Sequence, residues 1–326
     1  MIIVTGGAGF IGSNLLKALE QRDELVVVDW LGEDNKWRNI AKRELYDVVR
    51  PEDLFDFLKG REDDVQAVFH MGAISATTEA NVDAIVKNNV RLSLDLFRWC
   101  GLNKVRFLYA SSAATYGDGS NGFCDDDTID ALASLSPLNA YGWSKHVVDR
   151  RIARVLRSGG SLPPQCVGLK FFNVYGPNEY HKGNMRSVVH QLHGKISAGE
   201  DAILFRSHNS EYSDGGQLRD FVYVKDIVDM MIWFLDNPEV QGLYNAGTGQ
   251  ARSFLDLANA VYSAMGKQPK IKFVDTPVEI RDKYQYFTEA NMSKLQEAGF
   301  SKPATSLEDG VRDYVLNYLE QDDCYL

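Results

Sequence analysis

Ile2-Ile3-Val4-Thr5-Gly6-Gly7-Ala8-Gly9-Phe10-Ile11-Gly12 is a short apolar run, then a glycine-rich turn, then the opening of a helical pattern that continues to Glu20. A glycine motif gains meaning from that context, a strand before it and a helix after it. Gly6 and Gly9 let the backbone turn tightly and come close to a pyrophosphate. Gly12 lets the helix approach the sheet, and the helix N-terminus offers unpaired N–H donors with positive potential. The stretch therefore predicts the cradle of a dinucleotide-binding fold.

Outward from it, apolar runs alternate with helical stretches: Leu25 to Asp29, Ala67 to His70, Val82 to Cys100, and Arg106 to Ala110. This is the βαβ rhythm of a parallel sheet covered on both faces. Tyr141 to Leu156 reads as a helix and Val167 to Phe172 as a further buried strand. Beyond Asn173 the rhythm loosens: Met185 to Ala198 reads as a helix and the polar stretch His208 to Gln217 as a loop. Strand-like Phe221 to Val224, a helix over Asp226 to Asn237, strand Leu243 to Asn245 and helices at Phe254 to Met265 and Leu307 to Leu319 follow. The expected fold is α/β, a Rossmann-type doubly wound parallel sheet with a smaller, interleaved C-terminal substrate domain. Residues 1–172 and 220–248 are assigned to the first, 173–219 and 249–326 to the second.

The 326 residues carry 45 acidic and 35 basic side chains, for a formal net charge of −10. No Lys/Arg run forms the cationic footprint that nucleic acid requires, so a nucleic acid partner is not expected. An anionic nucleotide remains compatible, because helix N-termini and a few local cations set the field at a site. Cys100, Cys124, Cys166 and Cys324 lie far apart and form neither a CxxC pair nor a metal cluster with His, which reads as free thiols in a reducing compartment. The first residues lack the basic flank of a signal peptide, and no run of about eighteen apolar residues occurs. The expectation is a cytoplasmic protein with no membrane span and no metal.

Asp29 ends the second apolar run, where a carboxylate can accept hydrogen bonds from an adenosine ribose, which favours NAD. Lys36 and Arg38 follow, and either can meet a 2′-phosphate, which leaves NADP open. On the residues alone both cofactors stay open. Tyr141 and Lys145 are four apart on a predicted helix and project from one face. A tyrosine is a poor base at neutral pH unless positive charge lowers its pKa, and Lys145 supplies such charge, so the pair suits acid/base help to hydride chemistry.

The order of these features, with His70-Met71-Gly72-Ala73 after the fourth strand and Ala110-Ser111-Ser112-Ala113-Ala114-Thr115-Tyr116-Gly117 after the fifth, resembles the extended short-chain dehydrogenase/reductase family. In that family a Ser or Thr after the fifth strand holds the reacting sugar hydroxyl, and the matching residue is Ser112. The resemblance runs from Met1 to about Tyr318. Phe171-Phe172-Asn173-Val174-Tyr175-Gly176-Pro177 is shared by many sugar-nucleotide enzymes. His181-Lys182-Gly183, Thr77-Thr78-Glu79 and Arg281-Asp282-Lys283-Tyr284-Gln285 resemble the branch that epimerises ADP-glycero-manno-heptose at C6.

That resemblance implies tightly held NADP, with NAD as the alternative, transient oxidation of the C6 hydroxyl to a ketone, and return of the hydride to the other face. It implies Tyr141 and Lys182 as acid/base groups on the two faces, with Ser112 and Lys145 completing the catalytic set. Whether Lys182 is a true base or a substrate contact stays open. Cofactor contacts are implied for Gly6, Gly9, Phe10, Ile11, Gly12, Asp29, Trp30, Lys36, Met71, Gly72, Ala73, Ile74, Ser75, Asn88, Lys145, Val174 and Lys182. Substrate contacts are implied for Asn173, Asn184, Gln191, Phe205, Arg206, Ser207, His208, Arg219 and Tyr284. A homopentamer that feeds the inner core of lipopolysaccharide is implied by the same likeness. The stretch from Phe205 to Arg219 is longer than the branch leads one to expect, and Met71 and Pro51 stand where acidic and basic residues are more usual.

The alternatives are a UDP-sugar 4-epimerase and a non-catalytic dinucleotide sensor. A 4,6-dehydratase is disfavoured because Ser112-Ala113-Ala114-Thr115-Tyr116 lacks the carboxylates that elimination needs. A sensor commonly loses the Tyr or Lys that this chain keeps.

Overall fold

The computed structural model describes residues 1–281 and 285–326. Its strands, in chain order, are β1 (Ile2–Thr5), β2 (Leu25–Val28), β3 (Asp47–Val49), β4 (Ala67–His70), β5 (Arg106–Ser112) and β6 (Cys166–Phe171). They continue as β7 (Asn173–Tyr175), β8 (Ala202–Phe205), β9 (Leu218–Tyr223), β10 (Gly242–Ala246), β11 (Ala251–Ser253) and β12 (Ile271–Val274).

Seven of these form one sheet in the order β10-β6-β5-β4-β1-β2-β3, and every pairing in it is parallel. Strands buried on both faces need apolar residues at every position, which explains why Ile2–Thr5 and Ala67–His70 read as continuous runs. Side chains alternate in direction along a strand. Ile2 and Val4 accordingly enter the core on one face and Ile3 the core on the other. The strand order reverses at β1, which has β2 on one side and β4 on the other, and ligands of open α/β sheets bind at the carboxyl ends of strands flanking such a reversal. The glycine turn lies there.

The short strands build two smaller sheets: β7 parallel and β11 antiparallel to β9, and β8 parallel to β12. Their core draws on Leu192, Ile196, Leu204, Tyr223, Leu257, Val261, Val311 and Tyr314. The helix expected from Met185 begins instead at Val188, where Ser187 accepts a hydrogen bond from the His190 N–H as its cap. Residues 180–185 form a tighter turn broken by Gly183 at φ 53°.

Behind the predicted catalytic helix, Lys170 of β6 and Asp149 form an ion pair of 3.2 Å with both side chains wholly buried. Tyr109 and Ser111 also donate to Asp149, at 3.1 and 2.7 Å. Removing one partner of a buried pair strands the other charge in a low dielectric. Lys170→Met is therefore expected to lower unfolding free energy by about 3–5 kcal/mol, read as a drop in the urea midpoint. An unchanged midpoint would show that Asp149 is accommodated without its cation.

Candidate active site

The cradle follows from backbone geometry. Gly6 sits at φ +66°, and a Cβ there would lie 2.6 Å from the backbone of Gly72. A Cβ on Gly12 would lie 2.2 Å from the Gly6 carbonyl oxygen. Both positions exclude a side chain, so the turn brings the helix Phe10–Leu19 hard against the ends of β1 and β4. That helix starts at Gly9 with no side-chain cap, which leaves its first N–H groups available to an anion. The cradle fits the diphosphate of a dinucleotide. His70, at the end of β4, bonds Thr5 Oγ1 at 2.7 Å and Ser93 Oγ at 2.8 Å, and burial pushes its pKa down to about 3. It is a neutral structural link between strands.

A cleft of about 540 Å³ opens above this point, and it gathers Ser112, Tyr141, Lys145 and Lys182 with all the predicted cofactor contacts. The helix Ala140–Ser158 is started by Asn139, whose Oδ1 accepts from the Gly142 N–H at 2.8 Å. That cap fixes the first turn, which carries Tyr141. Lys145 follows one turn on, buried, and its Nζ donates to the Ala110 carbonyl of β5 at 2.8 Å. Burial pushes Lys145 down to about 8 against the opposing charge of Asp149. Burial also pushes the Tyr141 phenol up, while its hydrogen bond with Ser112 draws it back.

Lys182 lies over the face of Phe10, with Nζ 5.4 Å from the ring centre. Burial lowers its pKa, opposed by the nearby carboxyl of Glu179. At the end of the cleft lined by Asp29, Trp30 and Lys36, Asp29 accepts from the Ala8 N–H at 3.0 Å and from Lys36 Nζ at 2.6 Å. Lys36 thus neutralises the carboxylate that would otherwise repel a 2′-phosphate. Trp30 donates its indole N–H to both oxygens of Glu52 at 3.0 Å. Arg38, the other cation considered for a phosphate, stacks on Tyr325 at 4.7 Å instead.

A family model described as the NAD dependent epimerase/dehydratase family matches residues 2–247. The chain belongs to this epimerase/dehydratase family. It is 49% identical over 330 residues, the whole of both chains, to a protein of Nitratidesulfovibrio vulgaris named ADP-L-glycero-D-manno-heptose-6-epimerase. It is 45% identical over 336 residues, again the whole of both, to a protein of that name from Fusobacterium nucleatum. Among solved structures, the ADP-L-glycero-D-manno-heptose-6-epimerase of Helicobacter pylori matches with TM-score 0.77 and 29% identity, over 97% of this chain and 95% of that one. A UDP-N-acetylglucosamine 4-epimerase from Methanobrevibacter ruminantium matches with TM-score 0.79 and 25% identity, over 96% of each chain.

In this family member the predicted substrate contacts are less concentrated than the cofactor contacts. Asn173 lines the cleft; Asn184, Gln191, Phe205, Arg206, Ser207, His208 and Arg219 do not. Asn184 and Gln191 are exposed, and Gln191 donates to the Arg186 carbonyl at 2.8 Å. His208 Nε2 accepts from the Thr276 N–H at 3.3 Å. The Arg219 guanidinium lies 5.6 Å over Phe254, a residue of the cleft wall, so Arg219 stands one side chain behind it. Tyr284 lies outside the described residues. Residue-by-residue reading did not assign Arg186 and Ser187, which line the cleft; Ser187 before an apolar run carries a helix-cap signal that was there to be read.

Proposed function

We propose that this chain interconverts ADP-D-glycero-D-manno-heptose and ADP-L-glycero-D-manno-heptose by epimerisation at C6, using tightly bound NADP. The observation that carries the reading is the meeting, in one cleft, of the glycine cradle, the Ser112–Tyr141–Lys145 group and a second, half-buried amine at Lys182. The names of full-length relatives at 45–49% identity support the same substrate. The Asp29–Lys36 ion pair favours NADP over NAD, since it removes the negative charge a 2′-phosphate would meet.

When bound, the nicotinamide supplies a hydride acceptor for C6 and the source of the same hydride on its return, so no net oxidation results. The protein manages the proton on the C6 oxygen, which occupies opposite positions before and after the ketone. Ser112 Oγ orients that oxygen on one side. Tyr141 takes or gives its proton there, with the Lys145 ammonium favouring the phenolate. Lys182 takes or gives the proton on the other side, and its lowered pKa makes the neutral amine accessible nearer to neutral pH than in an ordinary lysine. The division into lobes 1–172 with 220–248 and 173–219 with 249–326 belongs to this proposal. By likeness alone, so does a cytoplasmic homopentamer that supplies lipopolysaccharide core precursor.

The test is NMR of ADP-D-glycero-D-manno-heptose incubated with the purified protein and no added cofactor. Inversion at C6 supports both substrate and retained dinucleotide. No inversion, with NADP or NAD supplied as well, overturns the assignment and directs the search to 4-epimerisation of UDP-sugars.

A further inference from the structure

Asn39 closes the turn at Asn35–Asn39, the same turn that carries Lys36. It is 1% exposed. Its Nδ2 lies 2.8 Å from the Ala8 carbonyl in the glycine turn, 3.1 Å from the Asn178 carbonyl and 3.1 Å from His181 Nδ1. One amino group therefore spans the cofactor cradle and the segment that leads directly into Lys182. Asn39 Oδ1 is buried with no hydrogen-bond partner among the described residues. The amide is oriented for its donors, at the expense of its acceptor.

We infer that Asn39 is a positioning residue for Lys182: its side-chain bridge sets where the Asn178–Lys182 segment stands against the glycine turn. The inference rests on the proposed proton role of Lys182. Burial and the neighbouring cations Lys36 and Lys182 push the His181 pKa down to about 4, so the ring is neutral in the working range, and the tautomer with its proton on Nε2 receives the bridge at Nδ1.

A second set of contacts, through the C-terminal residues, ties the turn that carries Asn39 to the Asn178–Lys182 segment from outside. Tyr325 lies under Arg38 at 4.7 Å and edge-on to Tyr180 at 5.1 Å. Lys42 donates to the Tyr325 carbonyl at 2.6 Å, and Tyr180 Oη to the Cys324 carbonyl at 2.7 Å. With that outer clamp in place, loss of the inner amide is expected to shift Lys182 without unfolding the region.

The experiment is a double-mutant cycle on the holoprotein with ADP-D-glycero-D-manno-heptose. Asn39→Ala alone is expected to lower kcat by about 10- to 100-fold, the cost of misplacing a reacting group by around an ångström, with a much smaller change in KM. In a Lys182→Met background the same substitution is expected to cost almost nothing further, since the group it positions is gone. An equal loss in both backgrounds would make Asn39 merely structural and overturn the inference, while leaving the Lys182 reading intact. Normal turnover in Lys182→Met alone would overturn both. Melting temperature and bound dinucleotide absorbance report folding. If Asn39→Ala does not fold, His181→Phe, which removes one end of the bridge only, takes its place in the cycle and is read the same way.

Discussion

Tyr141→Phe is expected to reduce turnover by about 10²- to 10⁴-fold, the usual contribution of a positioned general acid or base, while the protein keeps its bound dinucleotide. Phenylalanine preserves the ring and removes only the oxygen, so the packing of the helix Ala140–Ser158 and its Asn139 cap should persist. The remaining groups cannot substitute. Ser112 lacks a pKa suited to proton transfer at neutral pH, and Lys145 is held on the Ala110 carbonyl. The measurement is kcat in both directions of the epimerisation, together with the absorbance of released cofactor after denaturation. A loss of dinucleotide in step with activity would point to a binding role for the phenol and sink the acid/base assignment. In the native protein, burial raises the Tyr141 pKa, so the limb of the pH profile it governs should climb toward alkaline pH. The proximity of Lys145, at about 8, limits that climb, because deprotonating the amine removes the charge that favours the phenolate. Tyr141→Phe should flatten that limb.

The glycine turn and the Tyr141–Lys145 pair could be read from the sequence because each depends on neighbours in the chain. Gly6 is demanded by a local φ of +66°, and residues four apart on a helix share a face whatever surrounds them. The central strands were legible for a related reason: burial on both faces leaves an unbroken apolar run. The edge strand Asp47–Val49 was not, because three residues with only Val49 buried leave no period to detect. β8 and β12 were missed as partners because their pairing joins Ala202–Phe205 to Ile271–Val274, and no short-range signal encodes a contact so distant in the chain. Lys170 illustrates the same limit. Inside Val167–Phe172 it reads as an exception in a buried strand, and only the fold shows Asp149 and Thr115 Oγ1 waiting for it, the latter at 2.5 Å. Asn39 had still less signal, since its three acceptors come from three separate positions in the chain. The substrate contacts between Phe205 and Arg219 were placed by register in a loop, where insertions shift residues without disturbing the core.

Lys182→Met tests the remaining half of the chemistry, and the expected outcome is a fall in kcat of about 10²-fold or more. Methionine keeps most of the length of the stem and removes the amine that lies over Phe10, so the substitution tests the amine rather than the bulk of the side chain. Two readings of Lys182 diverge here. A lysine that only binds substrate stabilises ground state and transition state alike, so its removal raises KM and spares kcat; a lysine that moves a proton is needed only in the transition state, so kcat falls with kcat/KM. The pH dependence separates them further. Burial lowers the Lys182 pKa, so the fraction of neutral amine rises with pH through a midpoint below that of an ordinary lysine. Proton removal by Lys182 should therefore strengthen along that rise, and the corresponding limb should vanish in Lys182→Met. If the limb persists with the amine gone, the second proton acceptor lies elsewhere. Glu179 is then one titratable candidate, held by the backbone N–H and hydroxyl of Ser187, a residue of the cleft wall.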